Sequence, residues 1–414
     1  MSDWESVDYQ GPTPAYVYDL STVRAAHDQL RAQLPAPSDL YYSLKANPHP
    51  AVVSTLHERG CRAEISSVGE LRAALEAGVP PGDILYSGPG KRDSDLDTAL
   101  SAGVRSFSLD SPRAARQLDS AAARNGTPAR FLLRVNTDAA APGAGLAMTG
   151  LPSPFGADIA AIEADAAVFT SQTHARFEGL HLYLATNLYD EDALTQQFTV
   201  AIDTAARVQS ILGVPLRVLD LGGGFGAPYA HDGALPVFPG LAGRLARRLD
   251  GAFPDWRRQQ PAIAFESGRY LTATCGRLHT RVLDVKQAHE HRVIVMDSGI
   301  HHLGGMSGLR RVPVIRPRVQ VPGSAGRDGT PEETTAMLCG PLCTPLDTWA
   351  RSTPMPSVEP GDVLSVPNVG AYGLHASLVL FLGHPLPDEV VVDGPEHVGT
   401  SRLDVHRADL VQPA

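Results

Sequence analysis

The feature that most constrains the fold is a repeated alternation of short apolar segments with Ala-, Leu- and Arg-rich stretches between residues 38 and 270. This alternation predicts βα units around parallel strands. Eight candidate strands can be counted, the number that closes a βα barrel. They are LYYSLKA (40–46), CRAEISS (61–67), ILYSGPG (84–90), SFSLD (106–110), FLLRVN (131–136), FEGLHLYL (177–184), LRVLDLGGG (216–224) and AIAFESGRY (262–270).

The polar residues of this region favour a (β/α)8 TIM barrel. A doubly wound open sheet fits the same alternation. Barrel enzymes, however, collect their site residues at the C-terminal ends of the strands, and polar residues stand at those ends here. These residues are Lys45, Ser67, Lys91, Asp110, Asn136, Tyr183, Gly222 to Gly224 and Glu266.

A different pattern begins near residue 274, where extended segments alternate with Gly- and Pro-rich turns. We therefore predict an α/β chain with a barrel over residues 20–273. A β-rich barrel or sandwich domain would combine residues 1–19, through the strand-like TPAYVYDL, with residues 274–414. The predicted strands of that domain are RLHTRVLDVK, HRVIVMD, RVPVIRPRVQV, GDVLSVPN and SLVLFLG.

Charge and composition narrow the functional classes. The net charge of −10 and the absence of a Lys/Arg run argue against nucleic acid as a partner. The N-terminus lacks the pattern of a secretory signal, and no apolar run is long enough to cross a membrane. A cytoplasmic location is therefore expected. The four cysteines are too scattered for a disulfide framework, so reduced thiols are expected.

Lys45 is the first candidate for chemistry because it ends a strand that reads as buried. A buried lysine must lose its charge or find a partner, and an imine bond to a carbonyl group is one solution. A lysine that extends its amine to solvent explains the position equally well.

Two other strand ends carry residues suited to a phosphorylated pyridine cofactor. Gly222 to Gly224 would let backbone N–H groups approach a phosphate, although a tight turn also explains three glycines. Glu266 could keep a pyridine nitrogen protonated, or it could pair with Arg269. Arg269 itself suits a phosphate or a carboxylate.

Residues of the second domain add weaker signals. Cys343 follows a Gly-Pro turn that could expose a proton-donating thiol, and Tyr372 lies between glycines where its phenol could reach a phosphate. Each has an ordinary structural explanation as well. We predict no metal site at His301 and His302, because adjacent side chains of an extended chain point to opposite faces.

Taken in order, the motifs YYSLKANPHP, ISSVGEL, GLHLYLATN, LDLGGGFG, FESGR, CGPLCTPLD and GAYG resemble the fold-type III pyridoxal phosphate (PLP) decarboxylases, the family of diaminopimelate and ornithine decarboxylases. The resemblance covers almost the whole chain. It implies an alanine racemase-like barrel, PLP as cofactor, and a homodimer with shared active sites.

The resemblance also implies residue roles. Lys45 matches the Schiff-base lysine, Glu266 the partner of the pyridine ring, and Cys343 the thiol that reaches across the dimer. Tyr372 matches a second phosphate contact. The full set expected to contact the cofactor is Lys45, Glu64, Ser67, Arg134, Tyr183, Thr186, Gly222, Gly223, Gly224, Glu266, Ser267, Gly268, Arg269 and Tyr372; the set expected to contact the substrate is Thr344, Asp347 and Arg310.

Three departures from the family pattern concern the substrate. Tyr183 replaces the histidine that stacks on the cofactor, and Ala185 and Thr186 replace the Gly-Ser that follows it. Thr344 replaces an acid that reads a distal ammonium. The family arginine for a distal carboxylate aligns with a Gly/Met stretch, although Arg310 follows closely.

The segments GIHHL, PLCTPLD and GAYGLHASLVLFLGHPLPDEV resemble a branch of secondary metabolism whose members act on carrier-tethered amino acids or siderophore intermediates. We therefore expect decarboxylation of the α-carboxylate of an amino acid, with a non-standard or carrier-bound substrate. A diaminopimelate-like enzyme acting on a free amino acid, a racemase of the same fold and a non-catalytic regulatory homologue remain alternatives.

Overall fold

The computed structural model of the protein describes residues 9–137, 146–147, 153–304, 315–320 and 334–407. The chain divides into two compact units. One, the barrel unit, comprises residues 23–227 and 234–274; the other, the β unit, comprises residues 1–22, 228–233 and 275–414. Within the described ranges, no helix combines the length and apolar character that a membrane span needs.

The described ranges contain twenty strands and ten α-helices. The strands are β1 Ala15–Asp19, β2 Asp39–Ser43, β3 Arg62–Ile65, β4 Ile84–Tyr86, β5 Ser106–Leu109, β6 Ala129–Asn136, β7 Leu146–Ala147, β8 Ala157–Asp158, β9 Ala175–Leu182, β10 Ala185–Thr186, β11 Val218–Asp220, β12 Ala262–Ser267, β13 Gly276–Ala288, β14 His291–Met296, β15 Arg318–Gln320, β16 Thr334–Cys339, β17 Thr348–Met355, β18 Val363–Val366, β19 Asp388–Asp393 and β20 Glu396–Arg402. The helices are α1 Leu20–Arg31, α2 Pro50–Glu58, α3 Val68–Glu76, α4 Asp93–Ser101, α5 Pro112–Arg124, α6 Ile159–Ala164, α7 Ala166–Thr170, α8 Glu191–Leu212, α9 Leu241–Ala252 and α10 Arg269–Thr272.

Eight parallel strands close into the predicted barrel. Their order is β5-β4-β3-β2-β12-β11-β9-β6, and β6 pairs with β5 to complete the ring. Each predicted strand segment overlaps one of these eight strands, so the prediction of a TIM barrel is confirmed and the open sheet is excluded. Because all eight strands run in the same direction, their C-terminal ends share one rim.

Local sequence signals set where the helices that follow the strands begin and end. Ser67 and Ser111 accept hydrogen bonds from backbone N–H groups in the first turns of α3 and α5. Asp190 does the same for α8, and Gly213 ends that helix in a left-handed conformation with a φ of 66°. The three side-chain caps, Ser67, Ser111 and Asp190, satisfy N–H groups that a helix leaves unpaired at its start.

Apolar side chains fill the barrel interior. Tyr41, Leu85 and Leu132 come from the alternate strands β2, β4 and β6, and they form a buried cluster with Ala264 of β12. Packing by side chains from alternate strands makes the inside of such a barrel a solid core. Polar chemistry is therefore confined to the rim.

The β unit contains the predicted extended N-terminal segment. Strand β1 pairs antiparallel with β13 and parallel with β19 in a sheet of order β17-β16-β14-β13-β1-β19-β20, and β18 pairs with β13 and β15. The prediction of a strand at SLVLFLG is wrong. This segment forms a short 3-10 turn at Phe381–Gly383, and Leu382 adopts a left-handed φ of 60°, which interrupts extended structure.

Candidate active site

Lys45 lies at the rim, in a 3-10 turn directly after β2. Its Nζ atom is 3.5 Å from Oε2 of Glu64 and 5.8 Å from the centre of the Tyr183 ring. The Lys45 side chain is 42% exposed, whereas that of Glu64 is 2% exposed. The amine therefore lies at the open end of the barrel, in contact with a buried carboxylate. A ligand that enters from the rim can reach it.

The chain contains only three lysines, Lys45, Lys91 and Lys286. Lys91 donates hydrogen bonds from its amine to the carbonyl oxygens of Gly88, at 2.6 Å, and Ser108, at 2.7 Å. Its burial lowers its pKa to about 8. The Lys91 amine is hydrogen-bonded to backbone carbonyls, and Lys286 is an exposed residue of β13. Lys45 is therefore the best candidate among the three lysines for a reactive amine at the rim.

A buried group of three polar side chains lies at the ends of neighbouring strands. His181 of β9, Asp220 of β11 and Glu266 of β12 are all at most 1% exposed. Nε2 of His181 is 3.3 Å from Oε1 of Glu266, and Nδ1 of His181 is 2.8 Å from Oγ of Ser108. Oδ1 of Asp220 accepts the Gly222 N–H at 2.9 Å.

Mutual charge interactions set the protonation of this group. Burial by itself would raise the pKa of Glu266, but the contact with His181 and the charges of Lys45 and Arg134 together lower that pKa to about 2. Burial and repulsion by Glu266 raise the pKa of Asp220 to about 7. The pKa of His181 is raised despite burial, because both carboxylates favour its cation. Glu266 is therefore an anion at neutral pH.

The structure pairs Glu266 with His181 rather than with Arg269, the salt-bridge alternative considered above. The roles of His181 and Asp220 were not foreseen from the sequence. A signal for His181 was present, because it lies between Leu180 and Leu182 and two residues before Tyr183, and residues two apart in a strand share a face. Its buried polar side chain therefore needed a partner inside the barrel.

The three glycines after β11 form a close-packed turn. Gly222 and Gly224 have φ angles of 67° and 119°, which favour glycine. A Cβ atom added to Gly223 would collide with the carbonyl oxygen of Glu266, and one added to Gly224 would lie 2.7 Å from Nε2 of Gln197. Glycine is therefore required for the turn to pack against its neighbours, and the N–H of Glu266 donates to the Gly222 carbonyl at 2.8 Å.

Replacement of Gly223 by Ala should weaken cofactor binding about tenfold to a hundredfold, because relief of the collision with Glu266 requires a backbone shift that costs about 1–3 kcal/mol. The dissociation constant for PLP would be measured by fluorescence titration. Gly251→Ala is the matched control, since Gly251 lies in α9 with nothing within 4 Å of its added Cβ. Equal dissociation constants for wild type and Gly223→Ala would contradict this reading of the turn.

Several further residues predicted to bind the cofactor lie in the barrel unit. The guanidinium of Arg134, at the end of β6, is 5.9 Å from the Tyr183 ring centre, and Oγ of Ser267 is buried without a hydrogen-bond partner among the described residues. Ser67 is occupied as the cap of α3. Thr186 lies in β10, Gly268 directly after β12, and Arg269 at the start of α10.

The predicted site residues of the β unit lie in two of its loops. Cys343 is an exposed free thiol, and Oγ1 of Thr344 accepts the Leu346 N–H at 3.3 Å. Asp347 is buried, and its two oxygens accept the N–H groups of Ile300 and Leu342, each at 2.8 Å. Asp347 thus holds the loop together. Arg310 lies outside the described residues.

The remaining residues of interest also lie in the β unit. Tyr372 has a left-handed φ of 55°, and its carbonyl accepts the hydroxyl of Tyr229 at 3.1 Å. The reasoning that the rings of His301 and His302 point to opposite faces is wrong. The two residues lie in a turn rather than an extended segment, and their ring centres are 3.6 Å apart.

The geometry of the barrel rim fits the expected cofactor. The backbone turn at Gly222 to Gly224 can receive a phosphate, and Lys45 can reach an aldehyde at the rim. Oε1 of Glu266 accepts no hydrogen bond from any described residue, so a buried anionic acceptor is present for a ring N–H. A phosphate cradle, an accessible amine and an anionic carboxylate are the three groups that a phosphorylated pyridine aldehyde requires.

Comparisons with known proteins agree with this geometry. The family described as pyridoxal-dependent decarboxylase, pyridoxal binding domain, matches residues 20–273. L-glutamyl-[BtrI acyl-carrier protein] decarboxylase of Niallia circulans is 32% identical over 92% of this chain and 88% of its own. Diaminopimelate decarboxylase of Helicobacter pylori strain J99 is 29% identical over 90% of this chain and 89% of its own.

A solved structure extends the agreement to the whole fold. The crystal structure of Helicobacter pylori diaminopimelate decarboxylase complexed with L-lysine superposes with a TM-score of 0.81 at 25% identity, and the alignment covers 94% of each chain. The chain therefore belongs to the fold-type III pyridoxal-dependent decarboxylases and is a PLP-dependent amino-acid carboxy-lyase.

Proposed function

We propose that this enzyme decarboxylates an amino acid tethered to a carrier protein, in secondary metabolism, as a homodimer whose subunits share their active sites. The observation that carries the proposal is the residue after the exposed Cys343. In the family pattern the residue at this position is an acid that pairs with the distal ammonium of the substrate, and the uncharged Thr344 cannot form that ion pair. A substrate whose distal group is uncharged, such as a thioester, suits this position.

Similarity to two relatives supports the proposal. The printed name of the Niallia circulans relative describes action on a glutamyl group held by an acyl-carrier protein. A relative from Staphylococcus aureus, 27% identical over 91% of this chain and 93% of its own, is named 2-[(L-alanin-3-ylcarbamoyl)methyl]-2-hydroxybutanedioate decarboxylase. A cytoplasmic setting belongs to the same proposal, and the four free cysteines are compatible with a reducing compartment.

In this proposal the barrel unit holds the cofactor at both ends. Lys45 would hold it covalently and would release the product amine, while the backbone N–H groups of Gly223 and Gly224, in the turn that begins at Gly222, would bind its phosphate. Tyr183 covers one face of the ring, and anionic Glu266 accepts the ring N–H. Bound PLP supplies an electron sink for the electron pair left behind when CO2 departs.

The partner subunit's Cys343 then donates a proton to the α-carbon. A side chain that only transfers a proton contributes about 10²- to 10⁴-fold to a rate. Cys343→Ala should therefore lower kcat by about 10²-fold or more and leave the dissociation constant for PLP unchanged. Steady-state CO2 release and a PLP titration measure the two quantities.

Cys339→Ala is the control for the cysteine prediction, because Cys339 is half-buried at the end of β16, near Oγ1 of Thr348 at 3.9 Å. A Cys343→Ala enzyme with the kcat of the wild type would remove Cys343 from the proposed mechanism.

The substrate proposal is tested with matched substrates. Amino acids with a side-chain carboxyl would be offered free and as side-chain thioesters on a carrier protein, which leaves the α-carboxylate free to depart. Intact-protein mass spectrometry would detect loss of CO2 from the carrier-bound form. The expected result is rapid loss from a carrier-bound amino acid and slow turnover of every free one. Lys45→Ala enzyme in the same assay excludes contaminating activity.

Decarboxylation of a free amino acid is the second candidate, supported by the several diaminopimelate decarboxylases among the relatives. A kcat/KM for a free amino acid equal to or above that for its carrier thioester would favour this candidate and reject tethering. The family match argues against a racemase. The presence of Lys45, of the glycine turn and of the Glu266 carboxylate argues against a non-catalytic homologue.

A further inference from the structure

We propose that His181 is a positioning residue that keeps Glu266 ionised and correctly oriented, and that Ser108 holds His181 in place. The proposal builds on the proposed contact between Glu266 and the cofactor ring. It concerns a residue that would not touch the cofactor and acts only through another side chain.

The first support is the placement of three strand ends. Ser108 of β5, His181 of β9 and Glu266 of β12 are buried at the same end of the barrel. Nδ1 of His181 lies 2.8 Å from the Ser108 hydroxyl, and Nε2 lies 3.3 Å from Glu266. The hydrogen bond to Ser108 orients the imidazole, and this orientation directs Nε2 towards Oε1 of Glu266 at ion-pair distance.

The second support is the electrostatic need of Glu266. An isolated carboxylate in so buried a position would take up a proton, and a neutral carboxyl could not hold a pyridine nitrogen in its protonated form. A cation in direct contact removes that problem, and His181 is the group that supplies it at 3.3 Å. Other charged or titratable groups that act on this cluster are Asp220, Arg134, Lys45, Glu64 and Tyr41.

A metal ion is the competing explanation, because ligand atoms of His181, Asp220 and Glu266 lie within 4.8 Å of one another. The contacts favour proton sharing. Asp220 uses Oδ1 to accept the Gly222 N–H, and its second carboxylate oxygen can carry the proton that reduces repulsion from Glu266. One cation and one proton then balance two buried carboxylates without a metal.

The first test uses the apoprotein and so does not depend on cofactor or substrate. ¹⁵N chemical shifts of labelled histidine would be followed against pH in wild type, Glu266→Gln and the exposed-site control His174→Asn. The expected result is a charged His181 imidazole at pH 7 whose titration midpoint falls by at least one unit in Glu266→Gln. A neutral His181 at pH 7, or a midpoint that ignores Glu266, would overturn the proposal.

A pair of variants separates charge from hydrogen bonding. In His181→Gln the side-chain amide can reach Glu266 without a charge, whereas His181→Asn is shorter and its amide is directed towards Ser108. Without the cation, burial should raise the pKa of Glu266 above its ordinary value of 4.5. In the wild type, ionised Glu266 stabilises the fold above pH 4.5, and this stabilisation is lost as the pH falls towards 2. In both variants the carboxyl would be more stable in its neutral form, so the free energy of unfolding should decline as the pH rises through 4.5.

Chemical unfolding of the apoproteins between pH 3 and 7 measures this difference. With PLP bound, the ¹⁵N shift of the labelled ring nitrogen should show loss of ring protonation at pH 7 in both variants, and kcat should fall about tenfold or more while KM stays within a factor of two or so. Retained ring protonation in both variants would overturn the proposal. Stoichiometric metal in the purified wild type would overturn it in favour of the metal site.

If the substrate proposal fails but these shifts appear, the positioning role stands, because neither the apoprotein nor the PLP-bound protein in the spectroscopic tests contains substrate. If the carrier-bound substrate is turned over and the shifts are absent, only the positioning role is lost.

Discussion

Lys45→Ala should abolish measurable decarboxylation, with a loss of at least about three orders of magnitude, because it removes the amine that we propose binds the cofactor and releases the product. The visible absorbance band of the bound cofactor should disappear as well. The variant should fold, because the hydroxyls of Ser66 and Ser87 still donate hydrogen bonds to the buried Glu64 when the Lys45 amine is removed.

The small number of lysines makes the Lys45 prediction sharp. Borohydride reduction of the PLP-loaded wild type, followed by peptide mapping, should find the cofactor on Lys45 and not on Lys91 or Lys286. Lys286→Ala is the control and should keep full activity, because Lys286 is an exposed residue of β13. A cofactor trapped on Lys91, or normal turnover by Lys45→Ala, would require a different site.

Glu266→Gln should have the second largest effect, a fall in kcat of about 10²- to 10³-fold. The amide has the shape of the carboxylate but no charge, so it cannot favour a protonated ring nitrogen. Steady-state CO2 release measures the effect, and the ¹⁵N shift of labelled PLP should report loss of ring protonation.

The Glu266 variant also changes the charge balance of the buried group. His181 would lose its nearest anion, so its pKa should fall and it should become neutral, which limits the cost in stability. Glu163→Gln, on an exposed position of α6, is the control for an equivalent change of charge. A Glu266→Gln enzyme with wild-type kcat would show that ring protonation does not depend on this residue.

The barrel could be predicted because each βα unit has a local signal. Apolar runs of strand length alternated with Ala-, Leu- and Arg-rich stretches, and eight such units allow closure. The position of Lys45 and Glu266 at one rim followed from the barrel, since its strands are parallel, whereas their expected roles came from the family resemblance.

The parts that could not be predicted depend on contacts between distant segments. His181 meets Glu266 and Asp220 only after β9, β11 and β12 become neighbours. The sequence SLVLFLG has the apolar character of a strand, yet the left-handed Leu382 in its 3-10 turn could not be read from composition. His301 and His302 were misjudged because an extended segment was assumed where the chain turns.

The hydrogen bond between the Glu266 N–H and the Gly222 carbonyl joins the two ends of the proposed cofactor site into one piece of backbone. Main-chain geometry then fixes the distance between the glycine turn that would bind the phosphate and the Glu266 carboxylate that would bind the ring. A PLP analogue with a longer or shorter link between ring and phosphate should therefore bind weakly, even though the glycine turn could bind its phosphate and Glu266 could bind its ring.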